Sequence, residues 1–202
     1  MRRPREALDV SELPTVVFGH RDLMWWGTTC FAVIEGFTLA LMAATYVYLR
    51  KNFTTWPPER TPPPSLTLPT ISLAVMLISL YPAWWTKQQA RRLDLYAVRE
   101  GLLASAGLGF IAFLLRFTEF FALNTRWDAN AYGSAAWILV GLHVSLHLLD
   151  IGDTIGLAVL SFTGPWEEKH FSNTADNSNY WYFMVLCWVP LYVLVFLSPR
   201  FL

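Results

Sequence analysis

The sequence has few charged residues for its length. Only 15% of its 202 residues are charged, against roughly 25% in a soluble domain. A chain with so little charge cannot cover its surface with polar side chains, which excludes an ordinary soluble domain. Its 15 basic and 15 acidic residues cancel, which argues against a nucleic-acid or strongly anionic partner. Cysteine is equally scarce, and Cys30 and Cys187 lie in apolar runs, which is typical of buried thiols rather than disulfides or metal ligands.

The first 22 residues lack the apolar stretch of a secretory signal peptide and are charged instead. The sequence also lacks a phosphate-binding glycine loop, a nucleophile elbow and a cysteine-based metal motif. We therefore expect residues 1–22 to form a cytoplasmic tail and residues 23–202 to form one transmembrane domain without an active site.

Long apolar runs are what the sequence does contain: 54% of its residues are hydrophobic and the mean hydropathy is +0.37. A helix needs about 20 mostly apolar residues to cross the hydrocarbon core of a bilayer. The runs are continuous rather than alternating, which favours helices over the strands of a barrel. They cover residues 23–49, 66–85, 101–123, 135–161 and 180–197. The predicted fold is therefore all-α, an integral membrane bundle of five transmembrane helices.

The connections between these runs differ in character. Residues 51–65 are rich in proline and predict a stiff, extended link. Residues 87–100 read as a charged turn, and residues 162–179, rich in Asn, Asp and Ser, read as a longer loop. Most Lys and Arg residues lie in the tail and these two connections, so the positive-inside rule predicts a cytoplasmic N-terminus and a periplasmic C-terminus.

Ionisable residues inside the predicted spans are the most informative feature, because such residues usually face the interior of a bundle. Glu35 lies in the middle of the first span. It is either a protonated carboxyl that bonds between helices or a group that takes part in proton handling. Arg116 and Glu119 lie three residues apart in the third span, where an ion pair is geometrically possible. They hold helices or subunits together, or they belong to a transport pathway.

The fourth span carries a stripe of polar residues on one helical face. His143, His147 and Asp150 follow one another at spacings of four and three residues, and Asp153 lies close by. Two histidines four residues apart can bind a metal. A bis-histidine haem between two helices would need a second span that bears a histidine, and the sequence has none. The remaining histidines, His20 and His170, lie outside the spans, which favours hydrogen-bonding histidines over ligands.

Four segments resemble subunit III of the haem-copper respiratory oxidases, in order and on matching helices. They are MWWGTTCFAVIEGFTLALMAATYVYLR, FLLRFTEFFAL, VGLHVSLHLLDIGDT and YWYFMVLCWVPLYVLVFLSP. Glu35 falls at the buried carboxylate of this family, and Glu119 and His143 fall in two further motifs. The sequence also departs from the family: Arg116 replaces a glutamine, Val140 a histidine, and Tyr182 and Val185 the usual histidine and aspartate. The chain fits the five-helix form of the family.

The resemblance implies a non-catalytic subunit of a proton-translocating cytochrome c oxidase, with haem and copper held by partner subunits and none in this chain. It implies contact with subunit I, with subunit II and other respiratory subunits, and bound phospholipid. It also implies support of proton uptake, and a bacterial plasma membrane fits the five-span form. On this reading Glu35, Arg116, Glu119, His143, His147, Asp150 and Asp153 are structural polar residues within the membrane.

Other functions remain open. A small ion transporter would use Glu35 and the polar residues of the fourth span, although no internal repeat is visible. A membrane cytochrome or metal enzyme would use His143 and His147. Within the family, an accessory subunit of a quinol oxidase or a nitric oxide reductase fits the same residues.

Overall fold

The computed structural model describes residues 14–58 and 60–201, and it is built of five long helices. They are α1 (Leu23–Lys51), α2 (Thr67–Arg91), α3 (Leu95–Ala122), α4 (Ala131–Thr163) and α5 (Lys169–Tyr192). Short helical turns extend α5 to Arg200, and all five elements are long and apolar enough to cross a membrane. The described residues contain no strand, so the predicted all-α fold with five spans is confirmed. Residues 1–13 of the predicted tail lie outside the described residues.

Polar side chains fix where three of the helices begin. The first turn of a helix leaves backbone N–H groups without partners, and Asp or Asn at the preceding position accepts from them. Asp22 accepts a hydrogen bond from the Met24 amide at the start of α1. Asp94 does the same at the start of α3, and Asn130 at the start of α4. These residues determine where the chain enters the bundle.

Two predicted connections are wrong in extent. The long loop at residues 162–179 is only five residues long, because α5 begins at Lys169 and not at Tyr180. Asn, Asp and Ser are poor helix formers, but here Ser172, Asp176 and Asn177 are buried, and residues outside α5 form hydrogen bonds with Ser172 and Asn177. Tertiary contacts therefore override local propensity. The predicted turn at residues 87–100 is likewise short, since α2 continues to Arg91 and α3 starts at Leu95.

The helices are unequally buried in the bundle. α2 packs most closely against α3 and α5, and α3 also packs against α4. α4 is the most enclosed helix, with 56% of its most apolar segment buried, against 17% for α1. α1 packs mainly against α4 and α5 and stands at the edge of the bundle. Most of α1 is therefore left facing outward.

Loops close the bundle at both ends. On the side of the N-terminus, Arg99 Nε donates to the Ser161 carbonyl at 2.6 Å, and Ser172 donates to the Val17 carbonyl. On the opposite side the proline-rich link is held to the helix ends: Asn124 Nδ2 donates to the Pro63 carbonyl at 2.9 Å. The first of these bonds joins α3 to α4, and the other two hold the segment before α1 and the proline-rich link against the bundle.

Candidate functional site

The polar residues predicted within the membrane lie in two groups inside the bundle. One, here called the ionic cluster, consists of Arg116, Glu119 and His143. The other, here called the acidic cluster, consists of Glu35, Asp150 and Asp153, together with Asp176, which lies outside the predicted spans. His147 lies on α4 between His143 and Asp150. All of these side chains except Asp153 are buried.

The ionic cluster contains a fully buried ion pair within α3, and a hydrogen bond from its arginine joins α3 to α4. Arg116 and Glu119 are one turn apart on α3, and Arg116 Nη1 lies 2.6 Å from Glu119 Oε2. Arg116 Nη2 lies 3.1 Å from Nδ1 of His143 on α4. A guanidinium only donates, so Nδ1 is the accepting nitrogen and Nε2 carries the proton. That proton is donated to the Met184 carbonyl on α5, 3.0 Å away, so His143 links three helices.

An aromatic ring completes the surroundings of Arg116. The guanidinium carbon lies 3.4 Å from the ring centre of Trp188 on α5, which is a cation–π contact. Such contacts contribute about 2 kcal/mol or more when both partners are shielded from water. Arg116 is 0% exposed, so its charge is compensated by a carboxylate, an imidazole and an indole rather than by solvent. This arrangement is typical of a structural anchor.

His147 has mainly aromatic neighbours. Its ring lies between those of Phe113 on α3 and Trp181 on α5, with centroid separations of 5.6 and 5.1 Å. The Trp181 indole donates to Ser79 on α2 at 2.9 Å. No group of three His, Cys, Asp or Glu side chains in the described part of the chain has the arrangement of a metal site. His143 uses both ring nitrogens in hydrogen bonds, which leaves neither for a metal.

In the acidic cluster, Glu35 pairs with a tyrosine. The Tyr180 hydroxyl on α5 donates to Glu35 Oε2 on α1, and within the described residues Oε1 has no hydrogen-bond partner. This bond is one of the few polar links between α1 and the rest of the bundle. A carboxyl group with one such donor can hold or release a proton, so the contact is compatible with both readings of Glu35.

Asn177 connects the aspartates of the same cluster. Its Nδ2 donates to Asp150 Oδ1 at 3.3 Å and to Asp153 Oδ2 at 3.1 Å, both on α4. Its Oδ1 accepts from the Thr154 hydroxyl at 3.1 Å. Asp150 Oδ2 and Asp176 Oδ2 have no hydrogen-bond partner among the described residues. These carboxylates lie beside a cavity of about 240 Å³ between α1, α4 and α5.

Sequence reasoning missed the partners that α5 supplies. The apolar run predicts Tyr180 at the start of a span, and the polar composition of residues 162–179 predicts a loop that contains Asp176 and Asn177. The spacing of these residues indicates a helix instead. Asp176 and Tyr180 are four residues apart, as neighbours on one helical face must be. A helix that begins at Lys169 brings all three residues against α1 or α4.

Comparisons with known proteins agree with the resemblance seen in the motifs. No family model matches the chain. A Synechocystis protein named cytochrome c oxidase subunit 3 is 27% identical over 187 residues, which cover 89% of this chain and 77% of that protein. A protein of the same name from Thermostichus vulcanus is 24% identical over 90% of both chains. The protein of that name from Ovis aries is 26% identical over 70% of this chain and 54% of its own length.

The alignments with the two bacterial relatives cover 89% and 90% of this chain, and the five apolar helices are those of a membrane protein. Fold, motifs and relatives thus agree, and the chain is a homologue of proteins named cytochrome c oxidase subunit 3.

Proposed function

We propose that this chain is subunit III of a bacterial haem-copper terminal oxidase and is itself non-catalytic. The observation that carries the proposal is the likeness to proteins named cytochrome c oxidase subunit 3 over about 90% of the chain. The chemistry of the two polar clusters supports it, because their side chains are engaged mainly with one another and with neighbouring helices. Haem and copper are then held by partner subunits.

The role proposed for the chain is to stabilise subunit I, to hold phospholipid and to support proton uptake. The exposed apolar surface of the helices suits contact with lipid and with another membrane subunit. The acidic cluster, which includes Glu35, supplies carboxyl groups on the side of the bundle where the N-terminus lies. The excess of basic residues on that side assigns it to the cytoplasm. The membrane is then the bacterial plasma membrane, with subunit II among the other partners.

Co-purification tests the assignment. The chain, tagged at its C-terminus, is isolated from its native membrane in mild detergent, with an unrelated tagged membrane protein as the control. We expect a larger haem-bearing subunit to co-purify with oxygen uptake driven by reduced cytochrome c, and no haem on the separated chain. Uptake driven by quinol, or consumption of nitric oxide, would assign the chain to a different complex of the same superfamily. A colourless chain that emerges alone and moves ions in liposomes would refute the proposal.

The accessory role has its own measurement. Removal of the chain is expected to leave the initial rate of oxygen reduction largely intact but to shorten the time for which the enzyme remains active during turnover. Adding back the purified chain should restore that time. An oxidase that loses all activity at once, or one that is unaffected, contradicts the role.

A further inference from the structure

The cavity beside the acidic cluster is lined by both apolar and acidic side chains. It lies between the first turns of α1, the middle of α4 and the first half of α5. Four apolar side chains line it: Met24, Phe31, Leu149 and Leu157. Asp150, Asp153 and Asp176 line it as well. We name this region the α1–α4 cleft.

The described part of the chain supplies no basic side chain to the lining of the α1–α4 cleft. Lys87 and Arg91 of α2 act electrostatically on Asp176, but neither lines the cavity. Asp150 is only 2% exposed, and its Oδ2 has no hydrogen-bond partner among the described residues. A buried carboxylate without a counter-charge is costly, so the cleft is complementary to a cation or strong donor.

The surface next to the cleft fits a helix. α1 is the least buried of the five helices, and Phe31, in the N-terminal half of α1, is 47% exposed. On α4, Gly152 and Gly156 lie four residues apart beside Asp153, and a Cβ built at either position meets nothing within 4 Å. Small residues at this spacing let a second helix approach closely in a membrane. An apolar helix seated there would cover the glycines and reach the aspartates together.

We propose that the α1–α4 cleft seats a transmembrane helix of a partner subunit whose Lys or Arg side chain pairs with Asp150 and Asp153. The proposal rests on the proposed function, because that function supplies the partner subunit. The apolar residues of the partner helix pack against Leu149 and the exposed face of α1. Its basic side chain extends into the cavity. Charged residues within a membrane normally face a cavity or the interior of a bundle and pair there with one another.

Site-specific cross-linking in the intact complex tests the proposal. A photoreactive phenylalanine analogue replaces Leu149, which lines the cleft, or Phe117 of α3, which is 46% exposed and does not line it. We expect the position-149 probe to attach to a Lys- or Arg-bearing transmembrane segment, identified by mass spectrometry, and the position-117 probe to miss that segment. Attachment to phospholipid alone, or the same product from both positions, would overturn the inference.

Charge reversal tests the pairing itself. Asp153→Lys is expected to reduce retention of the cross-linked partner on detergent washing at least tenfold, and exchange of the partner's basic residue for Asp should restore it. Asp128→Lys, at an exposed acid outside the cleft, serves as the control. Full retention in Asp153→Lys, with helix content unchanged, refutes the proposal. Failure of the proposed function is distinct, since no haem-bearing subunit would then co-purify at all.

Discussion

Replacing Arg116 by Met is expected to destabilise the bundle strongly. Arg116 and Glu119 are both 0% exposed and form the ionic cluster together with His143. Met fills much of the volume of Arg, so the change removes the charge rather than the packing. It leaves the Glu119 carboxylate buried without its counter-charge, and it leaves Nδ1 of His143 without its donor.

The magnitude follows from the buried contacts that are lost. Breaking a buried ion pair by removing one partner costs about 3–5 kcal/mol, because the remaining charge is uncompensated. Loss of the Trp188 contact, about 2 kcal/mol for a shielded cation–π pair, is partly included in that figure. We therefore expect the free energy of unfolding to fall by about 3–5 kcal/mol. Arg116→Met combined with Glu119→Leu removes both charges and is expected to recover most of the loss.

The measurement is reversible unfolding in mixed detergent micelles, followed by helical circular dichroism. Arg126→Met is the matched control: Arg126 pairs with Asp128 at 2.8 Å, but their side chains are 78% and 39% exposed. An exposed pair contributes about 0–1 kcal/mol, so this control should change stability little. Equal losses in Arg116→Met and Arg126→Met, or a double variant as unstable as Arg116→Met, would refute the reasoning.

Two further predictions concern contacts between helices. Tyr180→Phe removes the hydrogen-bond donor to Glu35 and is expected to lower the free energy of unfolding by about 1–2 kcal/mol. It should also shift the infrared band of the Glu35 carboxyl group, which is identified as the band that Glu35→Gln abolishes. An unchanged band would contradict the contact. Gly101→Ala places a Cβ 2.2 Å from Thr86 Oγ1 and is expected to cost about 1–3 kcal/mol in the same unfolding assay. Gly107→Ala, with nothing within 4 Å of its Cβ, is the control, and an equal loss there would show that the helix contact is not the cause.

Long apolar runs were enough to predict the number of helices, because a membrane requires a fixed length of apolar helix. The ends of the helices were harder to predict. α5 begins eleven residues before its apolar run, at Lys169 instead of Tyr180, and the polar residues between them pack against neighbouring elements. Hydropathy measures preference for lipid, so it does not detect a polar helical segment that is buried in protein.

The polar residues of the site could be identified from sequence, but their partners could not. The spacing of Arg116 and Glu119 makes an ion pair possible within one helix, and that contact forms in the structure. The contacts of Arg116 with His143 and Trp188 depend on how α3, α4 and α5 are placed, which no local spacing specifies. Likewise, no sequence pattern shows that Tyr180 reaches Glu35, 145 positions away along the chain.

The position of both charges of the ionic cluster on α3 has a consequence for synthesis. Inserting an isolated Arg into a bilayer costs about 2.5–3.5 kcal/mol on the scale of the insertion machinery. Arg116 and Glu119 can neutralise each other as soon as that single helix exists, before the ribosome has made α4 or α5. The ion pair therefore needs no residue of a later helix, whereas the contacts of Arg116 with His143 and Trp188 form only when α4 and α5 are present.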